Sequence, residues 1–330
     1  MKSTCLAAAA MLAVLLPTRP APAAELELVQ SIVLKGKPGN LDHLALDGKR
    51  DRLFLANKAN NTLDVIDLKS GKLLEQKPNQ TAIQGVAYAP EVDRIFVGLG
   101  SNGLCNILDG ETYKVLKTIK YKDDADNVRY NPKTGMVYVA HADKALGVIN
   151  AKTFAQKADI KLPATAEGFV METGRPRMYL VTPSPSQVVL IDTDKNEVVK
   201  SYPVKMASGG HPIALDEANH RIYIGCREKP MIVIMDTETG KEIDSVSIPG
   251  GIDDLFLDTK SKRLYASCGE GFLVVLKQVS ADKIEVVEKV ATVKDARTCL
   301  FIPETGRLYL AVPRQEGKEG PEIRIYQAKP

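Results

Sequence analysis

Tryptophan is absent from this chain of 330 residues, and so are several motifs that would assign a chemistry. Without tryptophan there is neither the Trp-Asp dipeptide of one large repeat family nor an indole platform for a flat cofactor. The sequence also lacks Cys-x-x-Cys-His, Gly-x-Ser-x-Gly, a phosphate loop and a glycine-rich dinucleotide turn. An electron-transfer or quinoprotein subunit therefore has little support.

An excess of either charge is missing as well. The chain carries 44 Lys and Arg against 41 Asp and Glu, a formal charge of +3. This balance argues against binding to nucleic acid or to a membrane surface. Hydrophobic residues make up 44% of the chain, which is enough for a sizeable folded core.

The first 23 residues have the order of a secretory signal peptide. Lys2 precedes an apolar run over residues 5–16, and Ala21-Pro22-Ala23 provides small residues for cleavage before Ala24. An uncleaved anchor is the alternative, but the run is too short to span a bilayer. We therefore expect a mature protein of residues 24–330, periplasmic or secreted, soluble and not membrane-spanning. Its formal charge falls to +1, because residues 1–23 contain two bases and no acid.

A four-residue phrase recurs seven times, every 41–44 residues. Its copies are Arg52-Leu53-Phe54-Leu55, Arg94-Ile95-Phe96-Val97, Met136-Val137-Tyr138-Val139, Arg177-Met178-Tyr179-Leu180, Arg221-Ile222-Tyr223-Ile224, Arg263-Leu264-Tyr265-Ala266 and Arg307-Leu308-Tyr309-Leu310. A period of about 40–45 residues built from short strands is typical of a β-propeller.

Each copy lies in the same series of four short strands. An apolar strand ending in Asp or Pro precedes the phrase, and a third strand after it ends in Asp or Asn, which suits a tight hairpin. The last copy has no fourth strand, whereas residues 27–34 form a spare strand at the other end. Pairing the two would close the ring and cover both sheet edges. The sequence therefore predicts one all-β domain, a seven-bladed propeller of four-stranded antiparallel blades.

The first copy also carries a family phrase. Residues 53–57 read Leu-Phe-Leu-Ala-Asn, and residues 60–67 read Asn-Asn-Thr-Leu-Asp-Val-Ile-Asp. This resembles the YVTN-type β-propeller repeat family, which includes YncE-like exported proteins, over residues 25–328. The later copies keep less of the phrase. The resemblance implies the propeller fold and export but specifies function poorly, because propellers carry unrelated activities.

The repeat register also predicts a site at the mouth of the central channel. Two places before the first apolar residue of each inner strand, all seven residues are polar. They are Asp42, Gln84, Asp126, Glu167, His211, Asp253 and Arg297, called the polar ring below. Neighbouring positions add His43, Asn127 and Asp254 as candidate ligand-binding residues. Propeller ligands usually lie at this face.

The polar ring has a formal charge of −3 when His211 is neutral. Converging carboxylates raise one another's pKa unless a cation neutralises them. Asp42, Asp126, Glu167 and Asp253 are therefore candidate ligands for a divalent cation, or for an ammonium or guanidinium group. A rim filled with water is the simpler alternative.

Two functions remain open. The first is an envelope binding or scaffold protein that takes a small molecule, a cation or a protein partner at this face. The second is a lactonase-like hydrolase in which Glu167, His211 and Arg297 supply a base, a proton shuttle and an oxyanion stabiliser. No catalytic motif supports the second, so we expect no enzyme, and we expect a monomer. Cys226 and Cys268 occupy equivalent positions in adjacent blades, and the sequence leaves open whether they are free.

Overall fold

The computed structural model describes residues 24–329, and within them every regular element is a β-strand. The predicted signal peptide at residues 1–23 lies outside the described residues. Across residues 24–329 there is no helix with the length and apolarity that a bilayer crossing requires.

The strands follow one another in seven groups. Strand β1 (Leu26–Val33) comes first. Blade 1 has β2 (Leu44–Asp47), β3 (Arg52–Asn57), β4 (Thr62–Asp67) and β5 (Lys72–Lys77), and blade 2 has β6 (Ile83–Ala89), β7 (Arg94–Leu99), β8 (Leu104–Asp109) and β9 (Val115–Lys120). Blade 3 has β10 (Ala125–Asn131), β11 (Met136–His141), β12 (Ala145–Asn150) and β13 (Gln156–Lys161), and blade 4 has β14 (Phe169–Met171), β15 (Arg177–Pro183), β16 (Ser186–Asp192) and β17 (Glu197–Pro203). Blade 5 has β18 (Gly210–Asp216), β19 (Arg221–Cys226), β20 (Met231–Asp236) and β21 (Glu242–Ser247), and blade 6 has β22 (Ile252–Asp258), β23 (Arg263–Cys268), β24 (Phe272–Ser280) and β25 (Lys283–Ala291). Blade 7 has β26 (Cys299–Ile302), β27 (Arg307–Val312) and β28 (Glu322–Ala328).

Strand β1 completes blade 7 as its outermost strand. The sheet order is β1-β28-β27-β26, and β1 pairs antiparallel with β28 from Leu26 opposite Ala328 to Val33 opposite Glu322. The first and last strands of the propeller thus share one sheet, which confirms the predicted seven blades and their closure.

The hydrophobic core lies between the blades. Seven clusters of buried apolar residues each join two adjacent blades, and they run around the whole ring. The aromatic residue of the repeated phrase is central to them, because Phe54, Phe96, Tyr138, Tyr179 and Tyr223 are almost completely buried. Burying a side chain of this size contributes roughly 2–3 kcal/mol, so the phrase recurs because each blade interface requires it.

The hairpin residues of the third strands behave as predicted. Asp236, for example, accepts hydrogen bonds through Oδ1 from the backbone amides of Glu238 at 3.0 Å and Thr239 at 2.8 Å. Asp236 also binds Arg221 at 2.6 Å, the residue that opens the second strand of the same blade. These contacts fix the outer hairpins at the end of the blade opposite the polar ring.

Candidate functional site

Backbone bulges place the polar ring at the start of the inner strands. In β6, β10 and β18 the pairing register shifts across the ring residue and the residue after it, and in β22 it shifts across Asp253. A bulge leaves its extra residue unpaired and redirects its side chain. These inner strands therefore begin three residues earlier than the apolar pattern predicts, as β10 does at Ala125 rather than at Val128.

Small residues after the ring position let neighbouring blades approach closely. A Cβ atom on Gly85 would lie 2.0 Å from the carbonyl oxygen of Asp126 in the next blade. The amide of Gly168 donates a hydrogen bond of 2.9 Å to the carbonyl oxygen of His211. Such contacts between inner strands explain why the register after the polar ring contains glycine in these two blades.

Asp253 lies at the centre of the strongest cluster of charges. Its carboxylate is 2.5 Å from the guanidinium of Arg227, 2.8 Å from Nε of Arg297 and 2.9 Å from Nε2 of His211. Burial acts to raise the pKa of Asp253, but the hydrogen bond from His211 and the charge of Arg227 outweigh it and lower the pKa to about 2. Asp253 is therefore a buried carboxylate that is already neutralised by cations from both neighbouring blades.

His211 connects Asp253 to Glu167. Nδ1 of His211 lies 3.3 Å from a carboxylate oxygen of Glu167, so carboxylates flank both nitrogens of the imidazole ring. Burial raises the pKa of Glu167, and the charge of Asp126 adds to the shift. Glu167, His211 and Asp253 thus form a continuous carboxylate–imidazole–carboxylate series across blades 4, 5 and 6.

Asp42 and His43 form a second group with Asp254. Nε2 of His43 lies 3.8 Å from Asp42, and Nδ1 lies 3.6 Å from Asp254. Burial alone would lower the pKa of His43, but Asp254, Asp42 and Asp126 together raise it to about 10. His43 is therefore an imidazolium at neutral pH. Burial raises the pKa of Asp42, although Lys58 lies 3.8 Å from its carboxylate.

Asp126 has no ion-pair partner among the described residues, although the charges of His43 and His211 act to lower its pKa. Its side chain forms no hydrogen bond or ion pair with the residues between 24 and 329. Burial and the charge of Asp42 raise its pKa to about 6. Nearby, Gln84 is held between Lys58, which donates to its Oε1, and Asp124, which accepts from its Nε2 at 2.8 Å. Asp126 is thus the carboxylate of the polar ring with the most unsatisfied charge.

Asn127 and Asp254 lie below the polar ring, on the channel wall. Asn127 accepts a hydrogen bond of 3.5 Å from Arg129, and Asp254 accepts one of 2.8 Å from the amide of Cys299. Both residues are almost completely buried. They belong to the inner wall of the site rather than to its open mouth.

Lys58 and Arg227 are functional candidates that the ring register alone does not find. Each is the residue directly after a second strand, and each contacts the ring residue of the following blade: Lys58 reaches Gln84, and Arg227 reaches Asp253. The sequence carries this signal, because the equivalent position holds Gly100, Ala142, Pro183, Gly269 and Pro313 in the other blades. Arg227 and Arg297 make one side of the mouth basic, whereas Lys58 lies among the carboxylates of the other side. The mouth is therefore not uniformly acidic, although the ring register suggested that it would be.

A cavity of about 510 Å³ opens beside the basic side. Its lining contains three cations, Arg227, Arg297 and Lys294, and two carboxylates, Glu270 and Asp295. Gly250, Gly251 and Gly269 complete the wall, so part of it is exposed backbone. The cavity is roomy enough for a small polar molecule, since binding cavities hold about 300–1,000 Å³.

No three His, Cys, Asp or Glu side chains within residues 24–329 converge as a metal-binding cluster. Asp253, one of four metal candidates, is bound to cations instead, whereas Asp42, Asp126 and Glu167 remain carboxylates without a common centre. All four cysteines within the described range are buried free thiols, including Cys226 and Cys268.

Comparison with known proteins identifies the fold alone. No family model matches the chain, and no curated protein matches it. Among solved structures, one similar chain is from Kuenenia stuttgartiensis hydrazine synthase, with a TM-score of 0.74 and 15% identity over 84% of this chain and 94% of that one. Identity this low extends only to the fold. The chain is a seven-bladed β-propeller with a divided polar mouth.

Proposed function

We propose that this chain is a non-catalytic binding protein that takes a small zwitterionic molecule at the polar ring. The observation that carries the proposal is the division of charge within one mouth. Arg227, Arg297 and Lys294 border an open cavity. Asp126 is half-buried and has no ion-pair partner among the described residues, and the cationic neighbours of Asp42, His43 and Lys58, are no closer than 3.8 Å.

The acidic side favours a cationic group on the ligand. Asp126 lacks a partner, and an ammonium or guanidinium group would supply the hydrogen bonds and the charge that its carboxylate needs. Because the pKa of Asp126 is about 6, its carboxylate ionises as the pH rises through that value. Binding through Asp126 should therefore strengthen from pH 5 to pH 7.

The basic side favours an anionic group on the same ligand. Asp253 engages Arg227 and Arg297 through single sides of their guanidinium groups. Guanidinium groups keep donors for a carboxylate or a phosphate, with Lys294 adding a further positive charge at the cavity wall. A ligand with both charges would satisfy the two sides at once.

The likeness to the YVTN repeat family and the N-terminal segment support an exported, envelope-associated role. The family phrase at residues 53–67 and the signal-peptide pattern at residues 1–23 are both features of the sequence. We therefore place the binding function in the periplasm or outside the cell. Native mass spectrometry of protein purified from that compartment would show whether a small molecule co-purifies with it.

Titration with a series of ω-amino acids from glycine to 8-aminooctanoate, followed by calorimetry, tests the proposal. We expect one chain length to bind more tightly than the amine and the carboxylic acid of the same length. Asp126→Asn and Arg297→Gln should each weaken binding on the order of tenfold. The matched controls are Asp51→Asn and Arg307→Gln, which lie in exposed hairpin positions. Binding that both ring variants leave unchanged would refute the proposal.

The contact between Glu167 and His211 favours one second function, a lactonase-like hydrolase. A half-buried carboxyl with a raised pKa beside an imidazole at 3.3 Å is a workable general base. Arg297, however, is already paired with Asp253, which reduces its capacity to stabilise an oxyanion. Turnover of a lactone panel that disappears in Glu167→Gln and in His211→Ala, but persists in His220→Asn, would favour the enzyme.

A further inference from the structure

A second cavity occupies the other end of the channel. It has a volume of about 620 Å³ and is bounded by the inner strands β10, β14, β18 and β22. Its wall is largely apolar, with Phe169, Met171, Leu215, Phe256 and Leu257 among the lining residues. The cavity continues to the hairpins after these strands, and therefore opens at the face opposite the polar ring.

One arginine interrupts this apolar wall. Arg129 lies three residues after the ring residue of blade 3. The other six blades have apolar residues at the equivalent position: Ala45, Ala87, Val170, Ala214, Phe256 and Leu300. The fold therefore does not require a charge there, and a propeller blade with alanine or valine at this position forms equally well.

The guanidinium of Arg129 is incompletely satisfied. Its Nε is buried and has no hydrogen-bond partner within residues 24–329. Its remaining contacts are a long hydrogen bond of 3.5 Å to Asn127 and the ring of Phe169, whose centre is 6.0 Å from Cζ. Burial lowers the pKa of Arg129, although Asp254 opposes the shift. An arginine nevertheless remains charged, so the cavity contains a cation without an adjacent counter-ion.

The acids that line the cavity are already satisfied. Glu217 accepts hydrogen bonds from the amide and hydroxyl of Thr173, both at 2.8 Å. Glu172 accepts from Arg175 at 2.5 Å and from the hydroxyl of Tyr179 at 2.7 Å. Asp254 faces the imidazolium of His43 and the amide of Cys299. None of the three is paired with Arg129.

We propose that this cavity is a second binding site, for an amphipathic organic anion whose acidic group pairs with Arg129. A single carboxylate would supply the two acceptors that a guanidinium binds side by side. The apolar wall would enclose a straight-chain or aromatic body, and the volume suits a molecule of about ten carbons or more. The site is distinct from the mouth at the polar ring, because it opens at the opposite face and its charged anchor is Arg129. Asn127 and Asp254 lie on the channel wall between the two sites.

The absence of tryptophan provides a clean test. Phe256→Trp places the only indole of the chain on the cavity wall, so its fluorescence reports on the cavity. The probes are decanoate and decan-1-ol, which share a chain and differ in charge, and calorimetry on the unmodified protein gives an independent reading. We expect saturable binding of decanoate, tighter than that of decan-1-ol by on the order of ten- to a hundredfold.

Substitution of Arg129 separates charge from shape. Arg129→Met should abolish the preference for decanoate over decan-1-ol and leave the affinity for decan-1-ol unchanged. Arg129→Lys should keep part of that preference. Arg307→Met is the matched control. The ω-amino acids of the polar ring should not displace decanoate. No saturable binding of decanoate, or equal affinity for the two probes in the unmodified protein, would overturn the proposal even if Arg129→Met does not fold. Equal loss of both probes in Arg129→Met would also overturn it.

Discussion

Asp126 and Asp253 occupy the same position in blades 3 and 6, yet their carboxyl groups respond to the fold in opposite ways. Both lie at a bulge of an inner strand, Asp126 half-buried and Asp253 almost completely buried. The pKa of Asp126 is raised to about 6, chiefly by burial, whereas cations lower the pKa of Asp253 to about 2 despite its burial. The repeat therefore fixes the position of a carboxylate, and the neighbouring blades fix its charge.

The neighbours that matter lie one blade away. Asp253 has Arg227 from blade 5 and Arg297 from blade 7. At the corresponding positions Asp126 has Gly100 and Glu167, which supply no positive charge. His211, from blade 5, also bonds Asp253, whereas the equivalent neighbour of Asp126 is the uncharged Gln84. A difference of three side chains on the flanking blades thus separates a neutralised carboxylate from one that is available to a ligand.

Removing the neutralised carboxylate should have the largest effect. Asp253→Asn leaves Arg227, Arg297 and His211 without their shared negative charge and turns one acceptor oxygen into a donor, and we expect the unfolding free energy to fall by about 2–3 kcal/mol at pH 7. A carboxyl with a lowered pKa stabilises the fold above its unfolded pKa of about 3.8, and this contribution is lost as the pH falls through about 2. Urea denaturation between pH 7 and pH 2 measures this, and a deficit that did not shrink on acidification would contradict the assignment.

The same substitution at Asp126 should have the opposite effect on stability: the unfolding free energy at pH 7 should rise. With a folded pKa of about 6 against an ordinary value of 3.8, the native state binds more protons than the unfolded chain within that interval. The unfolding free energy of the wild type therefore falls, relative to a variant with a neutral side chain, as the pH rises from 3.8 to about 6. Above about pH 6 the difference between the two proteins is constant. We expect Asp126→Asn to be about 1–2 kcal/mol more stable at pH 7, with no difference below pH 3.8. Destabilisation at pH 7 would show that Asp126 has a cationic partner.

The sequence predicts the architecture almost completely, for a physical reason. Each blade interface needs one aromatic residue, and the outer hairpins of blades 1–5 each use one Asp or Asn, so the repeat of about 42 residues is visible in the residue types themselves. The ring residues are found for the same reason, because register fixes the backbone position. Even the closure by residues 26–33 follows from counting strands.

Charge states and cross-blade contacts could not be predicted in this way. Lys58 and Arg227 reach the next blade through long side chains, and their contacts depend on how adjacent sheets pack. The raised pKa of His43 depends on Asp254, which the register places two blades away at the other end of the sequence. Arg129 is an exception in its own register, but the sequence does not show that its charge is left without a counter-ion.

Introducing a cation beside Asp126 should lower its pKa toward that of Asp253. Gly100 occupies the position of Arg227, and a Cβ atom there would meet only the ends of flexible side chains, Gln84 and Asp124, at 2.7 and 2.9 Å. We expect Gly100→Lys to lower the pKa of Asp126 by about one unit or more. Carboxyl NMR titration measures the shift, with Gly100→Gln as the uncharged control. An unchanged pKa would mean that the cross-blade rule does not hold in blade 2.

The weakest effect should come from the ion pair on the acidic side. Lys58 and Asp42 are 3.8 Å apart and Lys58 is one-third exposed, whereas Arg227 and Asp253 are 2.5 Å apart with Asp253 almost completely buried. A double-mutant cycle with Lys58→Met and Asp42→Asn should give a coupling free energy below about 1 kcal/mol, since water screens an exposed pair. The same cycle with Arg227→Met and Asp253→Asn should give the larger value, because both charges lose more water. Equal coupling in the two cycles would mean that Lys58 neutralises Asp42 as completely as Arg227 neutralises Asp253, and Asp126 alone would then remain on the acidic side for a ligand.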